Sequence, residues 1–227
     1  MKPLQPKVPG SLNPFAAEVL AALKDHPESC AITIGGGVAL QHYVDYRQTV
    51  DLDAWWAGEA RAEARRLIRD VVSAVAGRHG LAARTRSWGE TESYEILRGN
   101  RKVFSFQISR RDVQLDPPLP SEWPPVTIET LRDNLGAKMN ALVERGAPRD
   151  FVDVFEVCRR GLATPEDCWQ SWLAKNPGQR LEEAKAKVLG RLSVIEARRP
   201  LSAIPDEGGR RAAQDLRDWM KGSFCRK

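Results

Sequence analysis

Three consecutive glycines, Gly35 to Gly37, directly follow the short apolar run Ala31–Ile34. An apolar run of this length that ends at glycines is typical of a buried strand followed by a tight turn. From Val38 to Tyr46 the apolar residues recur at spacings that suit a short helix. The segment therefore predicts a strand, a glycine turn and a helix, and such a strand needs a sheet to join.

Two aspartates follow closely, at the start of a second predicted strand over Leu52–Trp56. Asp51 and Asp53 are two residues apart, and residues at that spacing point to the same side of a strand. Two like charges on one face repel each other unless a cation lies between them, and paired carboxylates suit Mg²⁺. The glycine turn offers N–H groups at a helix start, where a phosphate group can bind. Each feature alone is common, but together they predict a magnesium–nucleotide site.

The remaining patterns before residue 116 predict two helices and three strands. One helix starts at Asn13-Pro14 and continues to Leu23. The other covers Gly58–Arg78, and a Gly99-Asn100 hairpin turn joins the last two strands. The strands are predicted at Leu81–Trp88, Ser93–Leu97 and Val103–Ser109. Strands and helices that alternate in this way favour a small α/β domain.

A proline-rich segment is interpreted as a domain boundary. Residues 117–125 contain five prolines, and every pattern after them is helical, with Thr127 as the cap of the first helix. We therefore predict an α/β domain over residues 1–116, a linker at 117–125 and a helical domain over residues 126–227.

The composition excludes several classes of protein. Four widely spaced cysteines without a CxxC pair, and three histidines without ligand spacing, argue against a zinc site or a disulfide framework. No apolar stretch approaches the roughly 20 residues of a membrane span, and the N-terminus lacks the apolar segment of a secretory signal. We therefore expect a cytoplasmic protein that does not contact a membrane.

Basic residues crowd the predicted sheet and bear on the choice of partner. They are Arg84, Arg86, Arg98, Arg101, Lys102, Arg110 and Arg111. With the net charge of +5, they allow an anionic partner such as RNA without requiring one.

A second group of charged residues lies in the helical part. Lys138 is on a helix whose other face is apolar, and Asp150 and Asp153 are three residues apart on one face of the next helix. Alone, these residues would be read as a surface ion pair. Their order relative to the glycines and aspartates is what makes them informative.

The two blocks together resemble the AbiEii-type nucleotidyltransferases, toxins of abortive-infection and toxin–antitoxin systems within the DNA polymerase beta superfamily. The resemblance lies in five segments, in order: Gly36–Leu40, Arg47–Asp53, Lys138–Leu142, Arg145 and Arg149–Val154. It implies an α+β fold, in which an N-terminal nucleotidyltransferase-like mixed sheet with helices is followed by a C-terminal helical bundle.

The resemblance also implies roles for individual residues. Asp51 and Asp53 would hold Mg²⁺ and would be catalytic, together with Lys138 and Asp150. The residues that would bind the nucleotide are Gly36, Gly37, Arg47, Thr49, Lys138 and Asp153. The implied reaction moves a nucleoside monophosphate from a nucleoside triphosphate to an RNA end, with tRNA as one candidate, or to a protein hydroxyl. An antitoxin protein is the implied partner.

Two positions depart from the family pattern. Val38 stands where Ser or Thr is usual, and the strand expected to carry the superfamily's third carboxylate contains no acid. The polar side chains of that strand are Ser105, Gln107 and Ser109, and the candidate replacements for the acid are Glu92 and Glu95 on the neighbouring strand. The alternative function is therefore a catalytically silent relative that binds nucleotide or RNA and acts through a protein partner.

Overall fold

The computed structural model describes residues 4–59, 62–111 and 113–226. The chain divides into two compact units, and the division falls between Asn134 and Leu135. The first unit holds the sheet, and the second is helical. This is the α+β class that the sequence predicts.

The strands of the described residues form one mixed sheet with the order β3-β4-β5-β2-β1-β7-β6. In chain order they are β1 (Ile32–Gly35), β2 (Leu52–Trp56), β3 (Ala82–Trp88), β4 (Thr91–Arg98), β5 (Arg101–Ser109), β6 (Leu119–Pro120) and β7 (Thr127–Ile128). β2 runs antiparallel to β1 and parallel to β5, so it lies in the middle of the sheet.

The helices alternate with the first strands and then form the whole of the second unit. They are α1 (Pro14–Leu23), α2 (Gly36–Gln41), α3 (Ala62–Arg78), α4 (Leu131–Glu144), α5 (Pro148–Arg159), α6 (Pro165–Lys175), α7 (Leu181–Arg198) and α8 (Glu207–Trp219). Among the described residues, no helix is long and apolar enough to span a membrane.

The two faces of the sheet differ because apolar and polar residues alternate along its central strands. Leu52, Ala54 and Trp56 of β2 are buried in a hydrophobic core with residues of α1 and α3. On β5, Phe104, Phe106 and Ile108 belong to the same core. The residues between them point to the opposite face, which is therefore polar. The candidate site lies on this polar face.

The predicted linker at 117–125 is wrong. Part of it is β6, and β7, which follows it, pairs in parallel with β1 and antiparallel with β6. Proline is tolerated here because Pro120 lies in β6, a two-residue strand at the edge of the sheet. The first unit therefore extends to Asn134, well beyond residue 116.

Two helix boundaries also differ from the expected ones. α2 begins at Gly36 and ends at Gln41, so it starts earlier and is shorter than predicted. Thr127 lies in β7, and the hydroxyl of Thr130 instead accepts a hydrogen bond from Asp133 N, 3.1 Å away, at the start of α4. The hairpin turn at Gly99-Asn100 is confirmed, since Arg98 pairs with Arg101 across it.

The helical unit is held together by large aromatic side chains as well as by its aliphatic residues. The indole of Trp169 is 2 % exposed, and its Nε1 donates to the carbonyl oxygen of Phe224 at 2.9 Å. Trp172 and Trp219 are in edge or tilted contact with this pair. The bundle that the resemblance implied is therefore present after Leu135.

Candidate active site

The glycine turn brings the backbone at the start of α2 close to two side chains. One belongs to Asp53 in β2, and the other to Thr49 in the loop before β2. Gly36 has a φ of +58°, and a Cβ atom added there would lie 2.6 Å from the Cβ of Asp53. A Cβ atom added at Gly37 would lie 2.9 Å from Oγ1 of Thr49. Both glycines are therefore required by close packing. This packing also brings the N–H groups at the start of α2 close to Asp53.

The two aspartates lie side by side on the polar face of the sheet. Asp53 is opposite Gly35 on β1 and opposite Gln107 on β5, and Asp51 immediately precedes β2. The side chain of Asp51 is 31 % exposed, and the aspartates alternate with Leu52 and Ala54, which are buried in the core. The expectation that both carboxylates share one face thus agrees with the backbone register.

Ser105 of β5 takes the place next to Asp51 that a third carboxylate was expected to fill. Its hydroxyl donates to Oδ1 of Asp51 at 2.7 Å. The same Oγ accepts from Nζ of Lys102 at 3.1 Å and from Nε2 of Gln107 at 3.3 Å. Nζ of Lys102 also lies 3.5 Å from Oδ1 of Asp51. Asp51 is therefore held by a serine and a lysine.

Neither candidate replacement for the acid contacts the aspartates among the described interactions. Glu95 lies opposite Ser105, but its Oε2 accepts from Arg84 NH2 at 2.6 Å. Glu92 is opposite Ile108 on the core side of the sheet, and its Oε1 accepts from Arg65 at 2.6 Å. These arginines hold both glutamates in ion pairs.

The residues present fit a magnesium ion that brings most of its own ligands. Asp51 and Asp53 supply carboxylate oxygens, which Mg²⁺ prefers. Within the parts of the chain that the structure describes, no group of three His, Cys, Asp or Glu residues is arranged to hold a metal ion. Mg²⁺ commonly binds through one or two carboxylates, water and the phosphates of its substrate, and two carboxylates meet that need.

A polar cluster of Trp55, Glu129 and Asn134, which no sequence pattern indicated, supports the glycine turn. Glu129, which follows β7, is fully buried and accepts from Nε1 of Trp55 at 2.6 Å. Nδ2 of Asn134 donates to Oε2 of Glu129 at 2.8 Å and to the carbonyl oxygen of Gly36 at 2.9 Å. The amide thus ties the first residue of α2 to β2 through Glu129 and Trp55. Glu129 and Asn134 lie just after the expected linker, where no sequence signal marked them.

Arg111 supplies the positive charge of this cluster. It forms ion pairs with Glu129 and with Asp133, whose Oδ1 is 3.5 Å from Arg111 NH1, and its guanidinium lies over the ring of Trp55. Burial lowers the pKa of the Arg111 guanidinium, and the charge of Asp133 opposes this effect. The arginine neutralises two carboxylates that would otherwise be buried without a counter-charge.

Arg47 and Thr49 lie in the segment that connects α2 with β2. Nε of Arg47 donates to the hydroxyl of Tyr46 at 3.1 Å, and Oγ1 of Thr49 lies 3.4 Å from the carbonyl oxygen of Asp51. Thr49 therefore packs between Gly37 and the first aspartate. Both residues lie in the same loop as Asp51.

The helical unit contains a separate, well-defined ion pair. Nζ of Lys138 on α4 lies 2.7 Å from Oδ2 of Asp153 on α5, and the two side chains are 12 % and 0 % exposed. Asp150 makes a bidentate pair with Arg145, with both distances 2.8 Å, and accepts from the backbone N–H of Ala147 at 3.0 Å. Asp153 thus orients Lys138, whereas Asp150 stabilises the start of α5.

The polar face continues from the aspartates to the edge of the sheet. Across the strands, Asp53 lies beside Gln107, Gln107 beside Ser93, and Ser93 beside Arg86. In the neighbouring row Ser105 lies beside Glu95, which is paired with Arg84. β3 is exposed along its whole length. Arg84 and Arg86 therefore share the face of the aspartates, as does Lys102 beside Asp51.

Comparison with known proteins identifies the family to which this arrangement belongs. The family model described as "Nucleotidyl transferase AbiEii toxin, Type IV TA system" matches residues 18–217. A search of curated proteins found no match. The matched range contains Asp51, Asp53 and the charged residues of α4 and α5.

Proposed function

Because the chain belongs to the AbiEii family of nucleotidyl transferase toxins, we propose that it transfers a nucleoside monophosphate from a nucleoside triphosphate to an RNA end, with Mg²⁺ as cofactor. The observation that carries the proposal is the packing of Asp53 against Gly36, beside Asp51 on the same face of the sheet. This packing brings two carboxylates and a helix start together in one place.

Each part of this arrangement has a task in the proposed reaction. When bound, Mg²⁺ would neutralise charge on the phosphates and orient them. Asp51 and Asp53 would hold the ion, and the N–H groups after Gly36 would bind phosphate oxygens. The acceptor hydroxyl attacks the α-phosphorus and loses its proton to solvent, while the bond to the β-phosphate oxygen breaks and pyrophosphate leaves. These residues act by positioning and by electrostatic stabilisation.

Lys138 is proposed to neutralise negative charge on the nucleotide. Its pairing with the buried Asp153 supports this role, since the contact fixes the ammonium group before any ligand arrives. Arg47 and Thr49 are proposed to contact the nucleotide from the loop before β2. For Asp150, the contacts support a role in starting α5, and its catalytic role rests on the family resemblance alone.

RNA is the proposed acceptor because of the charge on the polar face. Arg84 and Arg86 lie in register with the residues beside Asp51 and Asp53, on the exposed edge strand. Basic side chains on the same face as the metal ligands suit an acceptor with a phosphate backbone. A protein hydroxyl as acceptor would make no use of these arginines.

The family also supports a proposal about biological context. Because the family is described as a toxin of a type IV toxin–antitoxin system, we propose that the chain acts as a toxin whose effect an antitoxin protein counteracts. The target would be RNA that the transfer inactivates, and tRNA is one candidate.

Incubation with labelled nucleotides tests the proposal directly. The purified protein is mixed with Mg²⁺, each of the four α-labelled nucleoside triphosphates in turn, and either total RNA or a mixture of proteins. We expect label on RNA with at least one nucleotide, and none when Asp51→Asn and Asp53→Asn are combined. Absence of label with every nucleotide and acceptor, despite nucleotide binding, would instead support a silent binding protein. That alternative is favoured by the lack of a three-acid metal group within the described part of the chain.

A further inference from the structure

A β-bulge in β5 turns Lys102 onto the polar face of the sheet. Ile96 of β4 is opposite Phe104, but the next residue, Leu97, is opposite Lys102, so one extra residue of β5 lies between the two pairs. In a regular strand, Lys102 would share the core side with Phe104, because residues two apart point to the same face. Bulges re-aim side chains in this way. The irregularity brings an ammonium group to the side of Asp51.

The ammonium group of Lys102 has two partners there. Its Nζ lies 3.1 Å from Oγ of Ser105 and 3.5 Å from Oδ1 of Asp51. Ser105 Oγ donates to the same Oδ1 at 2.7 Å. A cation and a hydroxyl therefore occupy one oxygen of a carboxylate that the proposed function assigns to Mg²⁺.

We propose that Lys102 is a built-in counter-ion of Asp51, which keeps a divalent cation weakly bound until a nucleoside triphosphate binds with it. The inference rests on the proposed function, because it takes Asp51 and Asp53 as the metal ligands. A free divalent ion meets two carboxylates and a competing positive charge within 3.5 Å of one of them. Among the described residues, no third carboxylate is grouped with these two to offset the repulsion.

A triphosphate removes this competition for two reasons. It brings negatively charged oxygens that bind the metal ion together with Asp51 and Asp53, as Mg²⁺ prefers. It also offers Lys102 a second anionic partner, so that the ammonium no longer needs the oxygen of Asp51. The side chain of Lys102 is 38 % exposed and has room to reorient. Metal and nucleotide would therefore bind cooperatively, with Lys102 as the residue that couples them.

Manganese binding in the absence of nucleotide tests this role without any measurement of transfer. Free Mn²⁺ is followed by electron paramagnetic resonance while it is titrated with the wild type, Lys102→Met and Lys102→Arg. The matched control is Arg101→Met, which removes an exposed cation from the adjacent position of the same strand. Unfolding curves confirm that each variant is folded, and Lys102→Gln replaces Lys102→Met if the latter is not.

We expect nucleotide-free Mn²⁺ to bind Lys102→Met more tightly than the wild type by about threefold or more, because a unit charge close to the ion is gone. Lys102→Arg and Arg101→Met should stay close to the wild type. A non-hydrolysable triphosphate should tighten Mn²⁺ binding less in Lys102→Met than in the wild type, since the repulsion that it relieves is already absent.

Unchanged or weaker Mn²⁺ binding by Lys102→Met would overturn the inference, and so would an equal gain in Arg101→Met. Failure of the proposed function gives a different result. In that case, combining Asp51→Asn with Asp53→Asn would leave Mn²⁺ binding unchanged in the presence of the triphosphate.

Discussion

At Gly36 the absence of a Cβ atom decides where the carboxylate of Asp53 can lie. The residue combines a φ of +58° with a close approach to the Asp53 side chain, so two separate constraints exclude other residues. Asn134 then holds the carbonyl oxygen of Gly36 from the other side. The geometry around Asp53 thus depends on backbone contacts as well as on the choice of an acid.

Gly36→Ala should destabilise the protein more than the replacement of a glycine that has the same positive φ but no close neighbours. Gly99→Ala is the matched control, because Gly99 has a φ of +60° but no heavy atom within 4 Å of an added Cβ. We expect the control to lower the free energy of unfolding by roughly 1–2 kcal/mol through its left-handed conformation. Gly36→Ala should cost roughly 1–3 kcal/mol more, because the methyl group displaces Asp53.

Urea unfolding of both variants measures this difference, and Mg²⁺-dependent nucleotide binding should weaken in Gly36→Ala only. Equal destabilisation of the two variants, with nucleotide affinity intact in Gly36→Ala, would show that the turn tolerates a side chain and that Asp53 does not depend on it.

At the scale of elements, periodicity predicted those strands and helices whose apolar residues face one core. Leu52, Ala54 and Trp56 alternate with residues that are less buried. The buried residues of α3 recur every three or four positions. The short strands β6 and β7 carried no such signal, because two residues cannot show a period and prolines nearby suggest coil. Local pattern thus predicted the longer strands β1 to β5 and failed at the two-residue strands β6 and β7.

The site residues that could be predicted are those that a local sequence pattern marks. Asp51 and Asp53 follow from alternation, and the glycines follow from the turn. Lys102 could not be placed, since a bulge reverses the face that alternation assigns to it. Glu129 and Asn134 reach the glycine turn only because β7 pairs with β1, a long-range contact that no local pattern encodes.

The pairing of α4 with α5 leads to a prediction about Lys138. Lys138→Ala removes a contact with the buried Asp153 and, by our proposal, a charge-assisted contact with the nucleotide, worth about 1.5–3 kcal/mol. Transfer should therefore fall at least about tenfold. Lys138→Arg should restore it only in part, because a planar guanidinium does not replace a compact ammonium group.

Lys187→Ala is the control for this experiment. Lys187 pairs with Glu144 at the end of α4, but both side chains are exposed and their charges lie 3.7 Å apart. Loss of such a pair should change stability by about 1 kcal/mol or less and should leave transfer unchanged. Labelled-nucleotide incorporation compares the variants, and wild-type rates in Lys138→Ala would remove Lys138 from the proposed mechanism.

At the scale of the whole molecule, the excess of positive charge is modest, and its distribution matters more than its size. Lys and Arg number 35 against 30 Asp and Glu. Many of these charges are already in ion pairs, such as those of Arg159 and Arg160 with Glu156. Arg84 is also paired, with Glu95, but Arg84 and Arg86 extend the face of the aspartates along an exposed edge strand.

RNA binding should therefore depend on salt through the arginines of β3. Combining Arg84→Ala with Arg86→Ala should make the plot of log affinity against log salt shallower by about 1.4, for two contacts with single-stranded phosphates. Combining Arg159→Ala with Arg160→Ala removes the same charge from α5 and the residue after it, and should leave the slope unchanged. Fluorescence anisotropy with labelled RNA gives both slopes. The same change of slope in both double variants would mean that only net charge matters.

The most direct test of the central claim is calorimetry of nucleotide binding to the variant that combines Asp51→Asn with Asp53→Asn. We expect a non-hydrolysable nucleoside triphosphate to bind the wild type more tightly with Mg²⁺ than without it, and we expect this dependence to disappear in the variant. The fold should survive, because the substitutions relieve the repulsion between two carboxylates and keep their size. Mg²⁺-dependent affinity that is equal in the wild type and the variant would contradict the assignment of Asp51 and Asp53 as the metal site.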